Sequence, residues 1–475
     1  MQGTTESEIS SVVYDTRNEI GKGACFVCIS GTKFDGHEYA ETAAKNGATA
    51  IIAEKPVHVP ENVTVILVDN CRKALAYISA AYFGYPAQKI KLVGITGTKG
   101  KTTTACMIKE ALIKAGYKTD LIGTIEITID GKSIPASHTT PESYLLQEYF
   151  AKMVEAGTEY CVMEVSSQGL KLDRVAGIVF DIGVFTNLEP DHIAPGEHPD
   201  FADYLYCKSL LFRQCRVGVG NIDDEHFDEI FENSTCKIVS YGRRTDADYC
   251  ASDISLWNRN GSIGVEFNLR ETESHSVNVG IPGFFNAYNA LAAITALFEL
   301  GIDKKAVLEA LKSVKVRGRV EPVEVSDKFN VMLDYAHNGM SLRSLLTTLR
   351  EYNPGRLVCM FGCGGNRAKD RRYDMGEMSA KLADVTIITS DNPRYEEPQE
   401  IINDIITGIN RVGGEYKAII DRREAIKYCL ANAKPGDLIV IAGKGHENYQ
   451  EICGVKYPMD DRKMILEAAH ELDLC

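Results

Sequence analysis

Short apolar runs alternate with longer amphipathic stretches along most of the chain. Near the amino end ACFVCI (24–29), ATAIIAE (48–54) and VTVILV (63–68) have strand length and strand composition. Between them HEYAETAAKNG (37–47) reads as a helix. A further helix ends at Gly84, and YPAQKIK (85–91) reads as a linker. The same grammar resumes with KLVGIT (91–96), a glycine loop, the helix TTTACMIKEALIKAG (102–116), and the strands TDLIGT, EYCVMEV and IVFDIGVFT. GFFNAYNALAAITALFELG (283–301) reads as a buried helix stopped by Gly301, and VRGRVEPV (316–323) as the exit from this block. The last block offers FNVMLDYA, the helix SLRSLLTTLREY, RLVCMFG, the helix MGEMSAKLA, DVTIITS and DLIVIAG.

Strands alternating with helices predict parallel, doubly wound sheets. At 475 residues the chain exceeds what one hydrophobic core serves. The expectation is an α/β protein of three domains: a small α/β domain over 1–88, a central parallel-sheet domain carrying a phosphate loop over 89–320, and a Rossmann-like domain over 321–475. Polar clusters follow several strands, which is where open α/β sheets bind ligands.

Composition narrows the functions available. Hydrophobic residues make up 44% and charged residues 25%, ordinary values for a soluble globular protein. No apolar run approaches the roughly 18 residues that would call for a membrane span. The first residues, MQGTTESEISS, lack the pattern of a secretory or transit peptide, so a cytoplasmic location is expected. A net charge of −14 disfavours a nucleic-acid partner, which would need a basic surface. An anionic ligand would therefore need metal ions or local Arg/Lys clusters. The 14 cysteines are scattered. Cys25 and Cys28 form one C-x-x-C, but they lie in an apolar strand and no second pair has zinc-site spacing, so a structural role is expected.

GITGTKGKTTT (94–104) carries the sharpest chemical signal. The usual phosphate-loop pattern is G-x-x-x-x-G-K-[ST], and here the outer glycine, Gly94, lies one residue too far back. The physics survives the insertion. Gly97 and Gly100 let the backbone approach phosphate oxygens, and the helix that follows points free N–H groups and its positive dipole end at an anion. Lys101 can reach terminal phosphates, and the Thr102 hydroxyl can ligand Mg²⁺. Glu164 ends a strand beside this loop, well placed to hold a magnesium ion, and His192 is a second candidate ligand. Lys208, in YLYCKSLLF, reads on its own as a snorkelling surface lysine.

The loop G-x-T-G-T-x-G-K-T-T resembles the signature of the Mur ligase family. These are ATP-dependent amide-forming enzymes of peptidoglycan precursor synthesis, with folylpolyglutamate synthases as relatives. The resemblance extends over nearly the whole chain. It implies ATP at Gly97, Thr98, Lys99, Gly100, Lys101, Thr102 and Thr103, with Asn286 and Asn289 near the adenine and Arg319 and His337 near the phosphates. In DYAHNGMSL, Gly339 stands where the family has proline. The resemblance also implies Mg²⁺ held by Thr102, Glu164, His192 and a carbamylated Lys208, with Lys101, Lys208 and His192 as the catalytic set. A carbamate turns a cation into an oxygen ligand and so permits a lysine beside divalent ions.

The ends of the chain resemble one branch of that family. YDTR with FVCISGTKFDG implies a uridine-diphosphate substrate held by Tyr14, Thr16, Thr32, Lys33 and Phe34. Thr139, Thr140, Ser166, Leu172 and Arg174 are implied on its sugar-peptide part, Leu172 standing where relatives often have glutamine. DNPR (391–394) follows a strand. Asn-Pro fixes a turn there, and a guanidinium can grip a carboxylate through two hydrogen bonds. Asp391, Asn392, Pro393 and Arg394, with Arg367, Gly443 and Glu447, match the family's pocket for meso-diaminopimelate. Diaminopimelate has a second carboxylate for Arg394, whereas lysine has none, and Glu447 suits the distal ammonium.

The implied reaction adds meso-diaminopimelate to UDP-N-acetylmuramoyl-L-alanyl-D-glutamate through an acyl phosphate, in a monomer with no nucleic-acid or membrane partner. Three alternatives stay open: a lysine-adding member of the same branch, a folylpolyglutamate synthase, and a nucleotide-dependent regulatory switch.

Overall fold

The computed structural model describes residues 8–31, 34–259 and 262–474. The chain forms two compact units, Met1–Cys250 with Leu291–Val307, and Ala251–Ala290 with Leu308–Cys475.

The first unit opens with four parallel strands in the order β1 (Ser11–Val13), β2 (Ala24–Val27), β3 (Ala48–Ala53) and β4 (Thr64–Leu67). Their period-2 alternation sends Val13, Phe26, Cys28 and Ile51 into one apolar cluster and Val12, Cys25, Val27 and Ile52 into another. Cys25 and Cys28 therefore lie on opposite faces of the sheet, both buried, and act as small core residues. HEYAETAAKNG divides into a 3-10 turn (Gly36–Tyr39) and helix α1 (Ala40–Lys45). Helix α2 (Cys71–Tyr82) is capped by the Asn70 side chain. YPAQKIK contains a helical turn, Pro86–Gln88, entered through Tyr85 in the left-handed region (φ +54°).

A larger sheet follows in the same unit. In sequence it comprises β5 (Lys91–Thr96), β6 (Thr119–Ile122), β7 (Glu126–Ile129), β8 (Lys132–Pro135), β9 (Tyr160–Glu164), β10 (Phe180–Phe185), β11 (Cys215–Asn221) and β12 (Lys237–Gly242). In space the order is β8-β7-β6-β9-β5-β10-β11-β12. The strands from β6 to β12 in that order are parallel, as the apolar runs predict, and β7 and β8 add an antiparallel edge. Helices α3 (Lys101–Lys114), α4 (Ser143–Ala156), α5 (Ser167–Lys171), α6 (Phe201–Ser209) and α7 (Phe227–Phe231) connect them. One face packs around Phe150, Phe180, Phe185 and Phe212.

Strand β13 (Tyr249–Arg259) leads into the second unit, where β14 (Ser262–Arg270) and β15 (Ser274–Val279) pair antiparallel. The chain continues through α8 (Phe285–Glu299) and α9 (Lys304–Ser313). A six-stranded sheet then has the order β16 (Glu321–Pro322), β17 (Asn330–Asp334), β21 (Leu438–Ala442), β18 (Leu357–Phe361), β19 (Val385–Ile388) and β20 (Glu415–Ala418). All but β16 are parallel. Helices α10 (Gly339–Arg350), α11 (Asp370–Leu382) and α12 (Pro398–Asn410) pack around Leu346, Phe361 and Ile405. Helices α13 (Arg422–Ala431) and α14 (Asp461–Glu471) pack around Met360, Ile426 and Ile465. A hairpin, β22 (Tyr449–Ile452) and β23 (Val455–Pro458), follows β21. Among the described residues no helix is long and apolar enough to cross a membrane.

Tyr352 ties the antiparallel ribbon of this unit to its sheet. Its hydroxyl accepts from Gly283 N at 2.7 Å and donates to Gly264 O at 2.9 Å, both buried. Tyr352→Phe keeps the shape and orphans both backbone groups, so it is expected to cost about 1–3 kcal/mol. Denaturant unfolding should show a lowered midpoint with unchanged slope; an unaltered midpoint would refute this.

Candidate functional site

In the first unit the glycine loop leaves the carboxyl end of β5. Gly97 has φ +147°, and a Cβ there would stand 1.9 Å from Thr186 Oγ1. Gly100 (φ +85°) is the N-cap of α3, and no side chain caps that helix, so its first N–H groups face the loop. The loop after β10 holds the glycine loop from behind. Thr98 N donates to Asn187 O at 2.8 Å, Lys99 N to Asn187 Oδ1 at 2.9 Å, and Thr186 Oγ1 to Lys99 O at 2.7 Å.

Two lysines meet at one carbonyl. Lys101 Nζ donates to Gly97 O at 2.9 Å and Lys208 Nζ to the same oxygen at 2.8 Å. Lys208 does not snorkel: it is 1% exposed, with its ammonium 4.4 Å from the centre of the Tyr204 ring. Burial, and then the neighbouring Lys101 cation, push its pKa well below the usual lysine range.

Glu164, buried at the end of β9, accepts from Thr102 Oγ1 at 3.0 Å, Thr124 N at 2.9 Å and Thr124 Oγ1 at 3.0 Å. Gly123 is required beside it, because a Cβ would lie 2.6 Å from Glu164 Oε1. The Thr102 hydroxyl and this carboxylate form a pair of hard oxygen donors that fits a magnesium ion. His192 stands in the left-handed region (φ +56°) with its ring half exposed and 3.2 Å from Glu197. Thr103 lies in the first turn of α3.

The residues expected to meet a sugar-peptide gather nearby. Thr140 Oγ1 accepts from Ser166 N at 2.9 Å and donates to Glu164 O at 3.0 Å. Arg174 Nη1 donates to Thr140 O at 2.9 Å, and Thr139 bonds Thr124 at 3.0 Å. Leu172 ends α5. In the amino-terminal module Tyr14 packs its ring on Tyr144, Thr16 sits in a turn closed by Asp15, and Phe34 is 70% exposed. Thr32 and Lys33 lie outside the described residues.

In the second unit four loops leave the carboxyl ends of β17, β18, β19 and β21. The DNPR loop is held from three sides. Gly365 N donates to Asn392 O at 2.9 Å, Glu451 N donates to Asn392 Oδ1 at 2.9 Å, and Gln450 Nε2 donates to Asp391 O at 2.7 Å. Arg394 Nε donates to Glu451 at 3.1 Å and Nη1 to Gly365 O at 2.8 Å; neither bond uses Nη2. Glu447 Oε2 accepts from Asn392 Nδ2 at 3.1 Å and from Lys444 Nζ at 3.1 Å. Gly443 (φ +107°) gives way to Asp391, whose Oδ2 would lie 2.9 Å from a Cβ. Burial raises the Asp391 pKa. Arg367 is exposed on the loop after β18.

Beside these loops, His337 Nδ1 donates to Tyr335 O at 2.8 Å, which leaves Nε2 as an acceptor, and burial lowers its pKa. Arg319 lies over the Tyr335 ring at 5.6 Å. Gly339 is the first residue of α10. Asn338 and Ser341 form a capping box at the start of α10, and a Cβ on Gly339 would lie 2.9 Å from that of Asp374. Asn286 and Asn289 are buried near the start of α8, bonded to each other at 2.7 Å.

Family models for the Mur ligase catalytic, middle and glutamate ligase domains match residues 8–83, 95–297 and 318–445. The chain belongs to the Mur ligase family. A UDP-N-acetylmuramoyl-L-alanyl-D-glutamate–2,6-diaminopimelate ligase of Caldanaerobacter subterraneus subsp. tengcongensis is 43% identical over 99% of this chain and 97% of its own length. A solved structure of a ligase of the same name is 30% identical with a TM-score of 0.74, covering 98% of this chain and 95% of that one. A MurF ligase from Thermotoga maritima, solved in complex with ADP, shares the fold at 20% identity and a TM-score of 0.57, covering 98% of each chain.

Three groups in this Mur ligase escaped sequence reasoning. Lys444, fully buried, lies between Asn392, Glu447 and Asp391. His198, also fully buried, bonds Asp203 at 2.6 Å and Ser167 at 2.9 Å and so ties the loop after β10 to α5 and α6. Arg422 pairs with Asp461 through two bonds of 2.7 and 2.6 Å and also donates to Ala442 O and Ser390 O, bracing two of the ligand-facing loops. Each of the three also bonds a residue 31 to 52 positions away, Asn392, Ser167 and Asp461 respectively, and no local pattern signals those pairings. Asp461→Ala strands the buried Arg422 charge and is expected to cost about 3–5 kcal/mol in denaturant unfolding. The double variant Arg422→Met/Asp461→Leu should recover much of that loss. A single variant within about 0.5 kcal/mol of the parent would contradict this account.

Proposed function

We propose that the protein joins meso-diaminopimelate to UDP-N-acetylmuramoyl-L-alanyl-D-glutamate at the expense of ATP. The observation that carries this reading is the DNPR loop packed against Gly365, Gly443 and Glu447. Arg394 is held through Nε and Nη1, so that Nη2 and the second N–H of Nη1 remain for a ligand carboxylate. Glu447 is held through Oε2, and its Oε1 suits the distal ammonium. Lysine would satisfy Glu447 and leave the guanidinium without its carboxylate. Arg367, Asp391, Asn392 and Pro393 complete the same pocket. The domains we assign are 1–88, 89–320 and 321–475, for the uridine nucleotide, ATP and the amino acid respectively. Tyr14, Thr16, Thr32, Lys33 and Phe34 would meet the uridine end, and Thr139, Thr140, Ser166, Leu172 and Arg174 the sugar-peptide.

A free carboxylate resists attack by an amine because its leaving group would be oxide. ATP supplies a better one by phosphorylating the γ-carboxylate of D-glutamate; the amine then displaces phosphate through a tetrahedral intermediate. The chain orients these reactants. The uncapped N–H groups at the start of α3 would meet the phosphates, and Lys101 would follow the charge as it moves. Thr102 and Glu164 would hold Mg²⁺, with His192 as a further ligand, and the ion would neutralise phosphate charge. By the same family resemblance we assign Asn286, Asn289, Arg319 and His337 to the nucleotide. The depressed pKa of Lys208 favours the neutral amine, the form that takes up carbon dioxide as a carbamate.

Given ATP, the UDP-muramoyl dipeptide and equal lysine and meso-diaminopimelate, product mass should show diaminopimelate incorporation. Equal incorporation of lysine would overturn the assignment. Arg394→Ala should raise the KM for diaminopimelate by about 30-fold or more and leave that for ATP within about two-fold, as expected for one lost partner of a charge pair. Lys208→Ala should be inactive and regain turnover with added short-chain carboxylates. Near-normal unassisted activity would exclude the carbamate.

A further inference from the structure

Cys215 and Cys236 are neighbours in the central sheet, and neither is among the residues assigned to ligands above. Cys215 opens β11, and Cys236 immediately precedes β12. Their sulfurs rest over two adjacent glycines. A Cβ on Gly183 would stand 2.9 Å from Cys215 Sγ, and one on Gly218 2.8 Å from Cys236 Sγ. Gly183 and Gly218 are register partners on β10 and β11, so the missing side chains leave one shallow trough that both sulfurs fill. Phe212 and Phe231 wall the Cys236 side.

The two thiols are not equivalent. Cys215 is 7% exposed, whereas Cys236 is half-buried at the loop end of its strand. The neighbouring Cys215 thiol, before any other group, holds the Cys236 pKa down at about 7. Cys215 is pushed the opposite way by Cys236 and by burial. Cys236 is the more exposed thiol, and the second thiol sits over the register-paired glycine of the adjacent strand, the arrangement an oxidisable cysteine needs in order to be resolved.

We propose that Cys236 and Cys215 form a two-cysteine oxidation site, at which a hydroperoxide oxidises Cys236 and Cys215 closes a reversible disulfide. The Cys236 thiolate attacks the peroxide O–O bond, giving a sulfenic acid and releasing water or an alcohol once the leaving oxygen takes a proton. Cys215 then attacks the sulfenic sulfur, an S–S bond forms, and water leaves. The peroxide is the two-electron oxidant, and a dithiol reductant reverses the step. Closing the bond to about 2.05 Å requires the approach of two sulfurs seated over register-paired glycines. The inference stands independently of the ligase reading.

Cys453 is an internal control, because it is the fully exposed thiol among the described residues. Native full-length protein at pH 7.5 is treated with stoichiometric hydrogen peroxide, alkylated, digested without reduction and mapped by mass. The expected result is a Cys215–Cys236 cross-linked peptide forming about ten-fold faster than oxidation of Cys453, and disappearing after dithiothreitol. Cys215→Ser keeps a hydroxyl donor but removes the resolving thiol. In that variant Cys236 should accumulate as a dimedone-trapped sulfenic acid. Cross-linking in the parent at a rate no greater than Cys453 oxidation, or a peroxide-insensitive Cys236, would overturn the proposal. The parent measurement needs no variant to fold.

Discussion

A single backbone oxygen organises the first unit. The Gly97 carbonyl accepts from both Lys101 and Lys208, so a residue of the glycine loop is bonded to the first turn of α3 and to the last turn of α6. Only glycine can occupy that position, since any Cβ would fall on Thr186. The arrangement draws two lysines to one carbonyl, and Lys101 donates to Thr98 O at 3.0 Å as well. Lys208 favours its neutral form, in the direction that burial and Lys101 impose. Lys101 and Lys208 thus bring two basic side chains together at the glycine loop of a chain whose net charge is −14. Charge in this molecule is decided locally, by which side chains the fold buries, and the sum over the sequence says little about it.

Parallel strands place their carboxyl ends on one edge, and each sheet exploits this by packing loop against loop there. The contacts are backbone to backbone and leave no room for side chains. A Cβ at Gly362 would lie 2.4 Å from Thr389 O, and one at Gly365 2.0 Å from Pro393 O. The glycines of GCGGN and GKGHE thus act first as spacers that let the DNPR loop lie flat on its neighbours. Polar groups then lock the stack. Asn392 joins Gly365 to Glu451 and Glu447 at once, and Arg422 reaches beneath to Ala442 and Ser390. The specificity of such a pocket lies in which hydrogen-bonding positions the lock leaves unused.

These packed loops explain what the sequence makes legible. Parallel core strands such as RLVCMFG and DLIVIAG announce themselves as apolar runs, and glycines directly after them mark close backbone approach. The motif residues of the phosphate loop, the EVSS segment and DNPR are therefore readable as sites. The antiparallel ribbon of β13 to β15 is not, because its strands mix exposed polar and buried apolar positions in stretches such as ASDISLWNR that carry no clean period. The burial of Lys208 and the role of Lys444 leave no local signal for another reason. A lysine within an amphipathic stretch defaults to solvent, and its burial depends on partners such as Gly97 and Asn392 that lie 111 and 52 residues away in sequence. Pairwise polar networks of this kind leave no periodicity.

Backbone strain falls where the loops are most constrained. Val320 is β-branched yet sits at φ +44°, and Arg394, Asn366 and His192 occupy the same left-handed region. Each such residue costs on the order of 1–3 kcal/mol and persists only where its surroundings over-determine it. Those surroundings are identifiable. Val320 N donates at 2.8 Å to Asp334, whose carboxylate also accepts from Ala336 N, so that one buried acid fixes the turn carrying Arg319 to the turn carrying His337. Arg394 is pinned through both its N–H and its C=O to the hairpin residues Glu451 and Cys453. Each of these four adjoins or is a side chain assigned to a ligand, and the backbone bonds of Val320 and Arg394 run to a different loop. A relaxed conformation would free the backbone and lose the aim of the guanidinium, so the strain reflects orientation imposed before any ligand binds.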